Sequence, residues 1–227
     1  MPPLTPRYAI YFSPDPGSPL AAFSAAWFGP DSKLKSSLDR AYIDSITAGP
    51  RRYGFHGTFK PPFELNPTLS LDGLVEAARI FCRNVMPVEL PPLELAVIGK
   101  FIALTPVTES GALEKLAAAC VRGFEAFRVP MTPEQIAQFK QNKLTVHQEQ
   151  MLKHWGYPYV MEEFRFHMSV TDRIEDPGER DRVMGELMQI ADPIIGKPLA
   201  IRALTLFRQT GSNEPMVPVE RIPFGRG

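Results

Sequence analysis

Two short stretches of this chain follow one plan about half a chain length apart: Phe55-His56-Gly57-Thr58-Phe59 and Phe166-His167-Met168-Ser169-Val170. Their aromatic and β-branched residues favour extended backbone, and strand side chains alternate between two faces. His56, Thr58 and Lys60 are therefore expected to share one face, opposite Phe55, Gly57 and Phe59. In the second stretch His167, Ser169 and Thr171 oppose Phe166, Met168 and Val170. A strand with one apolar and one polar face must bury the apolar side against another layer. The half-chain spacing thus predicts two similar lobes, each presenting an imidazole and a hydroxyl to the other.

The segments between are punctuated by proline, 24 of 227 residues, about twice the usual share of roughly 5%. A strand at 7–12 and an Ala-rich helix at 20–28 come first, the helix stopped at Gly29-Pro30. A helix at 37–46 and a strand at 53–59 follow, and Pro61-Pro62 ends that strand's capacity for central pairing. Helical periodicity marks 70–84, with Leu74, Ala77, Ala78 and Phe81 on one stripe, and also 113–127. Strands are expected at 93–97 and 101–105, then a polar helical insertion over 133–155, a strand at 164–171 and a helix at 178–190. Strands at 199–208 and 216–222 resemble a hairpin around Thr210-Gly211-Ser212-Asn213. Strands and helices mix without regular βαβ alternation, so the expected class is α+β with largely antiparallel sheet. No linker or tandem repeat interrupts the chain, and residues 1–227 read as a single bilobal domain.

Charge narrows the partners. The chain holds 25 basic and 25 acidic residues, a formal net charge of zero. That balance argues against long nucleic acid or an anionic membrane as partner and favours a small phosphoester. No apolar run approaches the roughly 18 residues of a membrane span. The opening Met1-Pro2-Pro3-Leu4-Thr5-Pro6 lacks the pattern of a secretory leader. Cys82 and Cys120 form no CxxC pair and read as buried thiols of a reducing compartment, so the expected location is cytoplasmic.

The paired motifs have a chemical use. Hydrolysing a phosphodiester needs a base to activate the nucleophile and an acid to protonate the leaving oxygen. Two imidazoles on opposite sides of phosphorus divide those tasks at neutral pH. A hydroxyl two residues along each strand points the same way and can donate to a non-bridging oxygen, where charge grows in the transition state. The scheme requires neither metal nor cofactor, and its pH profile is expected to be a bell with limbs on either side of neutrality.

The two motifs resemble the His-x-Thr/Ser signatures of the two-histidine (2H) phosphoesterase superfamily. Arg7-Tyr8-Ala9-Ile10-Tyr11, Tyr53 to Phe63, Trp155 to Val160 and Glu163 to Ser169 are similar to the DUF1045 branch of that superfamily, which is associated with bacterial phosphonate-utilisation gene sets. The resemblance covers about residues 7 to 223. It implies two small antiparallel sheets flanked by helices around a central cleft, with pseudo-twofold symmetry. It also implies His56 and His167 as acid and base of a phosphodiesterase, with Thr58 and Ser169 on the phosphate. Ser169 stands where the branch often has Thr, and the hydroxyl is retained. Substrates in the superfamily are cyclic and linear phosphoesters. Two other readings stay open beside hydrolysis: a non-catalytic phosphate or nucleotide sensor, and a ligase-like activity on RNA ends, which calls for a more basic surface.

Several residues have competing readings. Lys60 follows Thr58 by two and is a candidate phosphate contact, against a solvated edge lysine. Tyr8 and Tyr11 lie on opposite faces of the first strand, so one of them at most lines a cleft, and core packing is favoured for the pair. Arg7 and Gln209 stand at strand ends from which long side chains reach a ligand. His147 and His154 lack a third metal ligand at usable spacing. The insertion at 133–155 reads as a lid, a partner surface or a solvated excursion.

Overall fold

The computed structural model describes residues 5–29, 36–140, 143–211 and 213–225. Pro30, at the predicted end of the first helix, the expected turn residue Ser212, and positions 141–142 of the polar insertion lie outside them.

Along the chain, strand β1 (Arg7–Phe12) leads to α1 (Pro19–Phe28), α2 (Arg40–Ile46) and α3 (Ala48–Tyr53), then β2 (Gly57–Glu64) and α4 (Leu71–Arg83). Strands β3 (Val88–Leu90), β4 (Leu93–Ile98) and β5 (Phe101–Pro106) precede α5 (Gly111–Gly123), α6 (Pro133–Lys140) and α7 (Val146–Trp155). Strand β6 (Met168–Ser169), α8 (Pro177–Ala191), β7 (Leu199–Ile201), β8 (Ala203–Gln209) and β9 (Val217–Pro223) complete the chain. Helix starts are fixed locally by side-chain caps that occupy otherwise unpaired backbone N–H groups. Ser18, Ser70, Ser110 and Asp176 accept from Ala21, Gly73, Leu113 and Glu179. Thr145 and Gln148 form a reciprocal capping box at α7, which ends on Gly156 in left-handed backbone.

The fold is α+β with antiparallel sheets, as the mixed pattern predicts. One sheet has the order β2-β1-β8-β9, a second β4-β5-β6, and β3 pairs with β7. A continuous core joins them: Ile10, Phe59 and Leu206 of the first sheet pack in one cluster with Leu104 and Met168 of the second. The predicted stripe on α4 buries Leu74 and Ala78, with Ala77 and Phe81 partly covered. Trp27 of α1 donates from Nε1 to the Val170 carbonyl at 2.9 Å, tying that helix to the end of the second motif.

Both motif strands are outer strands of their sheets, and β2 and β6 meet edge to edge. This position explains two departures from expectation. Strand β2 runs through Pro61-Pro62 to Glu64, because an edge strand tolerates residues that cannot donate to a ladder. The expected strand at 164–171 contracts to Met168–Ser169, paired only with β5. Tyr53 closes helix α3 rather than opening a strand, so His56 and His167 each sit just before their short strands.

Candidate active site

The two imidazoles are held in the same way. His56 donates from Nδ1 to the Gly54 carbonyl at 2.7 Å, and His167 donates from Nδ1 to the Arg165 carbonyl at 2.9 Å. A carbonyl only accepts, so Nδ1 carries the proton in each neutral ring and Nε2 is left with the lone pair. In each case the accepting carbonyl lies two residues upstream. The Thr58 hydroxyl lies 3.1 Å from His56 Nε2 and donates to it. His56, Thr58, His167 and Ser169 line one cleft of about 530 Å³. A second, more apolar hollow of about 580 Å³, lined by Phe101 and Tyr159, adjoins it and shares Thr58, Pro61, Tyr157 and His167.

Burial governs the electrostatics of His56. Burial pushes His56 down from its ordinary value of 6.5 to about 4, partly offset by its bond to Gly54, and the neighbouring His167 lowers it further. Tyr11 contributes to that burial, its ring stacked on the His56 imidazole with centroids 3.8 Å apart. His56 is thus a neutral ring at pH 7, its Nε2 lone pair taken by the Thr58 hydroxyl.

Gly57 places the two motifs against each other. A Cβ at this position would lie 2.4 Å from the Phe166 ring, so only glycine lets that ring rest on the first motif's backbone. Phe166 also packs against Phe12 and Phe59, with ring centroids at 6.3 and 6.1 Å, so displacing it disturbs the core around it. Gly57→Ala is therefore expected to lower stability by about 1–3 kcal/mol, the usual cost of overpacking a filled core. Urea denaturation measures it, and a midpoint equal to wild type would show that the ring moves freely.

Lys60 does not belong to the cleft, contrary to the sequence expectation. A bulge in the β1–β2 ladder sets Thr58 opposite Tyr11 but Lys60 opposite Ile10. The extra residue breaks the period of two and turns Lys60 to the other face. There it is buried, donating to the Val121 carbonyl at 3.0 Å and pairing with Glu125 at 2.8 Å. Thr171 is also turned inward, its hydroxyl accepting from the Ile102 amide at 2.9 Å. Of the two tyrosines on β1, Tyr11 lines the cleft and Tyr8 joins the core. Cys82 and Cys120 are free and buried, and burial raises both thiols above their ordinary value.

Sequence reasoning missed much of the cleft wall. Tyr53 ends α3, Gln135 and Gln138 come from α6, and Tyr157 follows the turn at Gly156. The polar insertion thus supplies part of the wall. Arg128 also lines the cleft, but Glu125 holds it through Nε and Nη2, and the Val129 and His154 carbonyls take further N–H groups. His147 stands 3.7 Å from Glu162, away from the cleft residues. No helix among the described residues is long and apolar enough to cross a membrane.

Comparison with known proteins gives a family. The sequence profile described as "Protein of unknown function (DUF1045)" matches residues 58–217. The chain is 34% identical over 237 aligned residues to the ribose 1,5-bisphosphate phosphokinase PhnN of Janthinobacterium sp. (strain Marseille), covering 97% of this chain and 51% of that protein. It is 29% identical to the protein of the same name from Laribacter hongkongensis (strain HLHK9), over 75% of this chain and 41% of the relative. The chain therefore spans about half the length of the curated relatives it matches. Among solved structures, a phosphoesterase aligns with TM-score 0.43 and 10% identity over 99% of both chains. E. coli LigT solved with 3′-AMP aligns with TM-score 0.44 and 11% identity, also over 99% of each.

Proposed function

We propose that this chain, which belongs to the DUF1045 family, is a phosphodiesterase unit of two lobes that opens a small cyclic or linear phosphodiester by acid–base catalysis. The observation that carries the reading is the mirrored pair of imidazoles, each fixed by its Nδ1–H and each with Nε2 unprotonated in the neutral ring. His56 Nε2 takes the proton of an attacking water as the new P–O bond forms. His167, protonated, gives its proton to the leaving oxygen as the old P–O bond breaks. The products are a phosphomonoester and a free hydroxyl, and solvent exchange restores both rings. Thr58, its hydroxyl rotated from His56 Nε2 to the substrate, and Ser169 donate to the non-bridging oxygens, where negative charge accumulates. These groups supply the whole proton inventory of the reaction without a metal ion.

The substrate class follows from two supports. A cleft of about 530 Å³ suits a small molecule. The curated relatives are named for ribose 1,5-bisphosphate, which points to a diester of a sugar phosphate. Phosphorus NMR on a panel of cyclic and linear phosphodiesters, with and without EDTA, tests the reading. Turnover that survives the chelator is expected. Binding without product would make the cleft a sensor, and activity lost to EDTA and restored by a divalent ion would overturn the two-histidine scheme.

A further inference from the structure

Arg7 has no part in the proposed proton transfers, yet its side chain is set into the same cleft. Strand β1 places Arg7, Ala9 and Tyr11 on one face, and Tyr11 carries the ring that stacks on His56. Four residues along a strand are about 13 Å, so Arg7 stands beyond the imidazoles at the far end of the trough. Its guanidinium is held by Gln209, whose Oε1 accepts from Nε at 3.0 Å and from Nη2. Gln209 is fully buried and is itself braced by donating from Nε2 to the Glu214 carbonyl at 2.7 Å. The Arg7 fork is thus oriented by a neutral amide rather than a carboxylate.

That choice of partner matters. Glu64 faces Arg7 across the β1–β2 ladder and lines the cleft, but among the described residues Arg7 forms no ion pair. By contrast Arg128, another guanidinium lining the cleft, is paired with a carboxylate, that of Glu125, which it shares with Lys60. Among the described residues the Arg7 bonds run from Nε and Nη2 to Gln209 and none from Nη1, so no carboxylate there offsets the charge of this half-buried group. A guanidinium pre-set with one edge used and one edge open is the arrangement that takes an oxyanion in two parallel bonds. Around it, the Glu64 carboxylate and the Gln135 and Gln138 amides offer the acceptors and donors that sugar hydroxyls require.

We propose that Arg7 forms a second anion subsite, and that the preferred substrate is a phosphodiester carrying a separate terminal phosphate on the same small polyol or sugar. This rests on the phosphodiesterase reading for its first half only: the reacting phosphorus sits between His56 and His167, and the inert phosphate sits on Arg7. A substrate anchored at both ends presents its ester in one orientation, which decides which oxygen faces His167.

The test separates the two halves. Turnover is measured on a cyclic phosphodiester of ribose with and without a phosphate on the primary hydroxyl. In parallel, calorimetry measures binding of ribose 5-phosphate, which has no diester to hydrolyse. Wild type is expected to prefer the phosphorylated diester by at least about 10-fold in kcat/KM, as one charge-assisted contact provides. Arg7→Gln is expected to bring the ratio near one and to weaken ribose 5-phosphate by about the same factor. Arg7→Lys, which keeps the charge and loses the fork, is expected to fall between. Circular dichroism shows that each variant is folded, and Arg7→Lys serves if Arg7→Gln is not. A preference that is absent, or that survives both substitutions, overturns the subsite. If neither diester is hydrolysed but ribose 5-phosphate binds in an Arg7-dependent way, the catalytic reading fails and the subsite stands.

Discussion

His56→Ala and His167→Ala are each expected to lower turnover of the true substrate by about 10²- to 10⁴-fold, the usual contribution of a positioned acid or base. The two losses should not multiply. Once one proton transfer is missing, the other ring has less to act on, and the double variant is expected to lie close to the slower single one. Neither ring is a core element. His56 and His167 are half-buried, and their Nδ1 bonds go to local carbonyls that water can serve in the variant. Thermal unfolding should therefore stay within a few degrees of wild type while activity collapses. A variant that keeps a near wild-type rate would remove that residue from the proton inventory.

The acid limb of the pH profile is the second large effect. An imidazole base must be neutral, and burial holds His56 at about 4, well below its ordinary value. The free enzyme's kcat/KM should thus stay level on the acid side down to about pH 4 and fall tenfold per unit beneath it. The acid limb thus falls well below the ordinary imidazole value rather than beside it. Tyr11→Ala uncovers the ring stacked at 3.8 Å and should move the limb up toward 6.5. Thr58→Val should lower the rate by about 10- to 10³-fold without moving it, since a hydroxyl does not titrate in this range. A wild-type limb near 6.5 that ignores Tyr11 would show that burial does not set the titration. The same shift has a stability consequence, with a definite sign. Between about pH 6.5 and 4 the unfolded chain binds a proton at His56 that the folded chain does not, so stability falls as pH falls through that window. Rates there are to be read alongside the folded fraction.

The sequence spoke most clearly where local pattern governs structure. The α+β class, the strand at Arg7–Phe12, the apolar stripe of α4 and the joining of two His-x-hydroxyl motifs in one cleft were all legible. It misled at Lys60, because alternation assumes an unbroken ladder and a bulge has no reliable signature in one sequence. It also drew the second motif as an eight-residue strand, where the regular ladder holds only Met168–Ser169 and the amides of Val170 and Thr171 both turn onto the single Ile102 carbonyl. Propensity reports a preference for extended backbone, whereas pairing depends on whether a neighbour is present. The cleft wall from Gln135, Gln138 and Tyr157 was out of reach for another reason. Those residues meet the imidazoles only through tertiary packing of the polar insertion, whose own pattern reads as surface.

The edge-to-edge meeting of β2 and β6 leaves the two imidazoles under an unusual kind of metric. The strands belong to different sheets, so no ladder register dictates how far apart the histidines stand. A ladder is digital, since sliding it moves a side chain by whole residues of about 3.3 Å. A ring resting on a glycine backbone is analogue, because each change of side-chain volume at Phe12, Phe59 or Phe166 shifts the gap by a fraction of an ångström. The separation of the two imidazoles is therefore a property of the core's volume. Chains built this way can be regauged for a bulkier or slimmer occupant of the cleft by exchanging one buried ring for another, with both sheets and both His-x-hydroxyl motifs left as they are.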